Sequence, residues 1–141
     1  MIVFCHREIF VKSKQQLDDD EEAIRIRVRA LSDEQRLAFF SQTEKSLKDP
    51  DTYAALNFFF IAGLHHFYLG RNVRGTINVV IFLLGVITII AGFYLIGSLI
   101  ILAISVTELS ALFQAQRIVQ AYNNDVMEKI YQELTQKNSL P

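Results

Sequence analysis

Between Thr52 and Thr107 the only formal charges are Arg71 and Arg74, whereas the first fifty residues and the last thirty-four are dense in Asp, Glu, Lys, Arg, Gln and Asn. A run this poor in charge points to lipid. There, each backbone N–H and C=O must be satisfied inside its own segment, and a helix does that. Hydrophobic residues make up 51% of the 141, an ordinary share, so the signal is their segregation and not their amount. The expected fold is an all-α integral membrane protein with two transmembrane helices, three being the alternative, flanked by cytoplasmic amphipathic helices. The expected divisions are a polar arm over 1–48, a membrane domain over 49–112, and a C-terminal amphipathic helix and tail over 113–141.

The charge-free run Thr52 to Leu69 is eighteen residues long, about 27 Å as a helix and close to the hydrocarbon thickness. Asp49-Pro50 before it reads as an N-cap followed by proline at the first helical position. The second run, Gly75 to Thr107, has thirty-three uncharged residues and would extend about 50 Å as one helix, too long for a single crossing. Ala91-Gly92 divides it. In the first piece Gly75, Asn78, Phe82, Gly85 and Ile89 share a small and polar face suited to close helix contact, and in the second Ser98, Ile101, Ser105 and Glu108 share another.

In the arm, Met1 to Lys14 holds two apolar triplets readable as short strands or a weak amphipathic helix. Ala23 to Arg29 alternates like a strand. Helix is the better reading, because Ile24, Val28 and Leu31 also keep helical spacing, Glu21 can pair with Arg25 at i,i+4, and the acids sit near the helix start. Ser32 with Gln35 is a capping-box signature opening a stretch whose apolar positions are Leu37, Phe40 and Leu47. Beyond Glu108, the stripe Leu112, Val119, Tyr122, Val126, Ile130 and Leu134 marks an amphipathic helix packed within the subunit or along a seam between two copies. The tail from Thr135 is expected to fray.

The most distinctive passage is Gly63-Leu64-His65-His66-Phe67-Tyr68-Leu69-Gly70-Arg71. Physically it reads as an interfacial turn. Phe67 and Tyr68 suit the headgroup level, Gly70 lets the backbone reverse, and Arg71 and Arg74 can snorkel to phosphates. The passage resembles the signature of the transmembrane-two (TM-two) domain family, in which a first membrane helix ends in Gly-x-His/Asp-Arg-Phe-Tyr-Leu-Gly and leads to a second apolar segment. His65 matches a position where bacterial relatives often carry His, whereas His66 departs from the family's Arg. More loosely the likeness runs from Asp49 to about Asn123. It implies a membrane location and a helical core, and no particular activity.

Adjacent histidines on a helix diverge by about 100°, a poor chelating pair without ligands from elsewhere. No metal and no cofactor is therefore expected. One cysteine, Cys5, allows no intrachain disulfide. The N-terminus lacks the apolar core of a secretory signal, so the first membrane segment is expected to direct its own insertion. Fourteen basic against fifteen acidic residues leave no basic surplus for nucleic acid. No phosphate loop, dinucleotide fingerprint, nucleophile elbow or His-Glu-x-x-His is present, so no enzyme is expected.

Nine basic residues precede Pro50, two lie at Arg71 and Arg74 and three follow Glu108. The positive-inside rule then places both termini in the cytoplasm of a bacterial inner membrane, with an even number of crossings. The expected pair is the Thr52 segment and the Gly92 to Leu112 segment, with Gly75 to Ala91 interfacial or re-entrant. On that topology His65 and Glu108 stand on the order of 20 Å apart, whereas three crossings would allow them to meet. The expected function is a non-enzymatic scaffold or adaptor that contacts membrane lipid, self-associates and presents cytoplasmic helices to a protein partner. Self-association is expected through Leu112, Val119, Tyr122, Val126 and Ile130 and through intramembrane polar groups. The alternative is an oligomeric channel or transport component lined by Asn57, Asn78, Ser98, Ser105 and Glu108.

Overall fold

Ser13 and Ser32 each close a capping box, accepting from the backbone of Gln16 and Gln35 while those glutamines reach back to the cap N–H, and so fix where the first two helices begin. The computed structural model describes residues 12–59 and 63–137. The two apolar triplets before Lys12 lie outside them. Helix α1 runs Lys14–Arg29 and α2 runs Asp33–Ser46. The ambiguous Ala23 to Arg29 stretch is helical, with Glu21 and Arg25 paired at 2.5 Å as the i,i+4 spacing allows. No strand occurs among the described residues.

Helix α3, Pro50–Phe59, opens as the Asp49-Pro50 pair requires: the Asp49 carboxylate accepts from the Thr52 N–H at 2.6 Å. The helix does not run on to Leu69: Gly63, whose φ of 89° is left-handed, interrupts it and opens the five-residue α4, Leu64–Tyr68. The single crossing expected over Thr52 to Leu69 is therefore replaced by a short helix, a break and a shorter helix. The break turns the chain back: the Tyr68 hydroxyl accepts from the Asp49 N–H at 3.0 Å, so the end of α4 returns to the start of α3.

Helices α5, Asn72–Ile90, and α6, Tyr94–Phe113, are nineteen and twenty residues long and pack antiparallel around Gly92 (φ 92°). The division at Ala91-Gly92 is where the sequence places it. Both pieces are long and apolar enough to cross a membrane by length and composition, the Gly75 to Ala91 piece included. Their contact centres on Gly85 and Gly97. A Cβ built on Gly97 would stand 2.7 Å from the Gly85 carbonyl oxygen and 2.9 Å from the Ile89 nitrogen. Outward side chains are bare, with Ile90 and Leu95 79% and Phe113 82% exposed.

Helix α7, Ala115–Lys137, follows at once and remains helical past Thr135. It lies against α1, α2 and α3. Ile24 and Val28 of α1, Phe39 of α2 and Ile130 of α7 form one buried cluster; Tyr53, Leu69, Ala115 and Val119 form a second where α3 meets the start of α7. Polar clips fix the register. Asn124 donates to the Leu17 carbonyl at 2.8 Å, and the Asn123 amide both donates to and accepts from the backbone of Lys48 at 2.9 Å. One reading is corrected here and another narrowed. The buried face of α2 is Phe39 and Thr43, while Leu37 and Phe40 are exposed, because α7 approaches from the other side. And two residues of the α7 stripe are buried within the subunit, Val119 being 0% and Ile130 7% exposed, while Leu112, Tyr122, Val126 and Leu134 are half-buried.

Candidate functional site: a buried histidine and glutamate cluster

Where α3 and α4 meet the base of the α5–α6 pair, five polar side chains from four helices converge. Glu108 of α6 is 5% exposed and His65 of α4 is 0% exposed. His65 Nε2 lies 2.9 Å from Glu108 Oε2, and His66 Nε2 lies 3.6 Å from Glu108 Oε1. Asn78 of α5 donates to Oε1 of the same carboxylate, and Asn57 of α3 donates to the Glu108 carbonyl at 3.0 Å. Tyr53 closes one wall, its ring edge-on to His65 at 5.0 Å. The 20 Å separation expected for His65 and Glu108 is thus overturned. The pair meets because the α3–α4 unit brings His65 to the helix end that carries Glu108.

Local sequence explains the arrangement. Gly63 begins α4 in a conformation that L side chains rarely adopt, and a Cβ there would come within 2.9 Å of Asn78 Cβ. Gly75 lies under the Phe67 ring, where a Cβ would meet ring carbons at 2.6 Å. The histidine rings, expected to diverge, stand 4.1 Å apart between centroids, tilted by 44°, and both turn an Nε2 toward Glu108. Gly70 takes φ 68° at the exit, and Arg71 N–H donates to the His66 carbonyl at 2.8 Å. Tyr68, assigned to the headgroups, lies under the Lys48 ammonium at 4.8 Å and binds the backbone of Asp49, so it clips the chain to itself.

The contacts around Glu108 are close but incompletely bonded. His65 Nδ1 and Nε2, His66 Nδ1 and Glu108 Oε2 are buried without a hydrogen-bond partner; the 2.9 Å approach of His65 to Glu108 is off the line a hydrogen bond needs. Each such group costs about 1–3 kcal/mol of desolvation, so four of them in one cluster is a large uncompensated cost. A cleft of about 290 Å³, walled by Arg74, Asn78 and Thr107 among others, opens onto His66 and Glu108.

Of the other polar positions, Ser105 donates to the Ile101 carbonyl at 2.8 Å and Ser98 is exposed near the opposite end of α6. Asn57, Asn78 and Glu108 therefore close on one another and do not line a common pathway with the serines inside one subunit. Sequence reasoning missed Tyr53; its i,i+4 relation to Asn57 on α3 was the available signal. No protein-family model matches this chain, and neither a curated protein nor a solved structure matches it.

Proposed function

We propose that this is a membrane-anchored, non-enzymatic adaptor in which α5 and α6 cross the bilayer as a pair and α1, α2 and α7 form the cytoplasmic part that receives a protein partner. The observation that carries the reading is the split between these two groups of helices. The three polar helices bury a core of their own, whereas only 11% of α5 and 17% of α6 is buried within the chain. Helices at the core of a water-soluble protein are covered; these need lipid, or another apolar surface, around them. The charges agree: all fourteen Lys and Arg residues lie outside Gly75 to Phe113, so with α5–α6 as the membrane pair every positive charge is on the side of the termini. The resemblance of Gly63 to Arg71 to the TM-two family agrees with a membrane location and adds no activity.

On this reading the partner surface is the cleft of about 730 Å³ between α1, α2 and α7, with Ile24, Val28, Phe39, Phe40 and Met127 in its wall and Arg25, Arg29 and Arg36 around them. Glu21 and Asp51 share that rim, and Arg25, Arg29 and Arg36 each pair with a carboxylate of their own helix, so the apolar floor is what suits the cleft to an amphipathic helix. Self-association falls chiefly to the outward faces of α5 and α6, since Val119 and Ile130 of the α7 stripe are buried in the subunit. Site-specific photocross-linking in intact membranes tests the adaptor reading. A cross-linker replacing Phe40 should give a discrete adduct with a different protein, absent when the same group replaces Glu133. Adducts only with lipid or with the protein itself at both positions would sink it.

A further inference from the structure

Beyond the adaptor reading, and independently of it, we propose that His65, His66 and Glu108 bind one divalent first-row transition-metal ion at the base of the α5–α6 pair. The three residues each offer a ligand atom, and all three atoms lie within 4.8 Å of one another. Imidazole nitrogens and carboxylate oxygens bind such ions at about 2.0–2.2 Å, which spaces two ligands of one ion by roughly 3 Å. The observed 2.9 and 3.6 Å separations between the Nε2 atoms and the carboxylate oxygens are of that size. Two imidazoles with one carboxylate is a donor set that suits zinc or ferrous iron and leaves open positions, and it is poor for calcium or magnesium, which take oxygen ligands.

The second line of argument is the unsatisfied chemistry. His65 is 0% exposed with neither ring nitrogen hydrogen-bonded, and Glu108 Oε2, beside it, has no donor. With Nε2 and Oε2 2.9 Å apart and the ring nitrogen not aimed at the oxygen, the two atoms are placed as ligands converging on a shared cation beside them. The Nδ1 position then carries the single proton of each neutral imidazole. Asn78, donating to Oε1, sets the orientation of the carboxylate from outside the ligand set, as groups behind metal ligands do. The cleft beside Arg74 and Thr107 reaches His66 and Glu108 and supplies an entry path and room for a water ligand.

The test uses the full chain, free of any affinity tag containing histidine, in detergent micelles. Co2+ serves as the spectroscopic probe and Zn2+ as the competitor. Co2+ should develop ligand-field absorption that saturates at one ion per chain and is displaced by Zn2+. His65→Gln, His66→Gln and Glu108→Gln should each weaken binding at least tenfold, while His6→Gln leaves it unchanged. Circular dichroism and elution volume report whether each variant is folded. Should any of the three be unfolded, thermal unfolding of the unaltered protein decides: Zn2+ should raise its midpoint, and a chelator should reverse the rise. Folded, unaltered protein that shows neither saturable Co2+ absorption nor a Zn2+-dependent midpoint overturns the site, as does binding that Glu108→Gln and His65→Gln leave intact. The cross-linking at Phe40 reads a different face, so either conclusion can fail alone.

Discussion

Gly97→Ala adds one carbon at the narrowest point between α5 and α6. The new Cβ would stand 2.7 Å from the Gly85 carbonyl oxygen and 2.9 Å from the Ile89 nitrogen, where ordinary contact begins at 3.4 Å. Both obstacles are backbone, so no rotamer change relieves them. The helices must part by several tenths of an ångström, and a gap of that size forfeits about a quarter of the dispersion attraction for each atom pair it opens. Overpacking of this kind costs about 1–3 kcal/mol. The comparison is Gly92→Ala, where nothing lies within 4 Å and the strain comes only from φ 92°; left-handed backbone costs an L residue about 1–2 kcal/mol. Thermal unfolding in micelles should show both variants destabilised. A disulfide engineered from Val86→Cys to a facing position on α6 should form more slowly in Gly97→Ala alone. Equal disulfide rates in the two variants, with stability unchanged in Gly97→Ala, would refute the close backbone contact.

Val119→Asp places an unpaired charge at a position with 0% exposure and should destabilise by on the order of 3–5 kcal/mol; circular dichroism melting reads the loss, and native mass measurement should show no change in subunit number, since the side chain faces its own subunit. Arg27 holds Glu128 through a two-pronged contact, one prong of 3.0 Å. That hydrogen bond, ahead of burial acting the other way, keeps the Glu128 carboxyl below its ordinary value of 4.5. A lowered carboxylate stabilises above its unfolded value and loses that contribution as the pH falls through the folded one. Acidifying from pH 4.5 downward should therefore loosen α1 from α7 in the unaltered protein and not in Glu128→Gln, which itself costs under about 1 kcal/mol, both groups being about a third or more exposed; hydrogen exchange in α1 measures it. With Cys5 replaced by Ser, cysteines at Lys45 and Lys129 should be labelled from the same side of the membrane and a cysteine at Phe93 from the other, and labelling of all three from one side contradicts the paired crossing.

Helix starts were legible because the signals are local: Ser32 with Gln35 and Asp49 with Pro50 act within one turn of themselves. The turn at Gly92 was legible because thirty-three uncharged residues exceed one crossing. The break at Gly63 was not. Charge and hydropathy read Thr52 to Leu69 as uniform, while the fold distinguishes Asn57 and His65, which are drawn inward to Glu108, from the apolar residues around them. That attraction depends on a residue more than forty positions away. Likewise the stripe on α7 was visible, but a stripe does not name its partner, and Phe39 and Thr43 face it because of how α2 lies and not because of spacing along α2. Of the site, each of His65, His66, Asn57, Asn78 and Glu108 stood out as polar in apolar surroundings; their meeting point did not.

The turn between α5 and α6 has a consequence for biogenesis. Ala91, Gly92 and Phe93 carry no charge, and their amide protons are already given to the carbonyls of Ile87, Ile89 and Thr88 at 2.9 to 3.1 Å. In the paired crossing this is all that must emerge on the far side. A translocated loop ordinarily drags charged side chains and bare peptide groups through hydrocarbon, at several kcal/mol for each unsatisfied group. Here the charge burden is absent and the bare amides are limited to the uncapped first turn of α6, so on the proposed paired crossing α5 and α6 would enter together as a nearly closed unit.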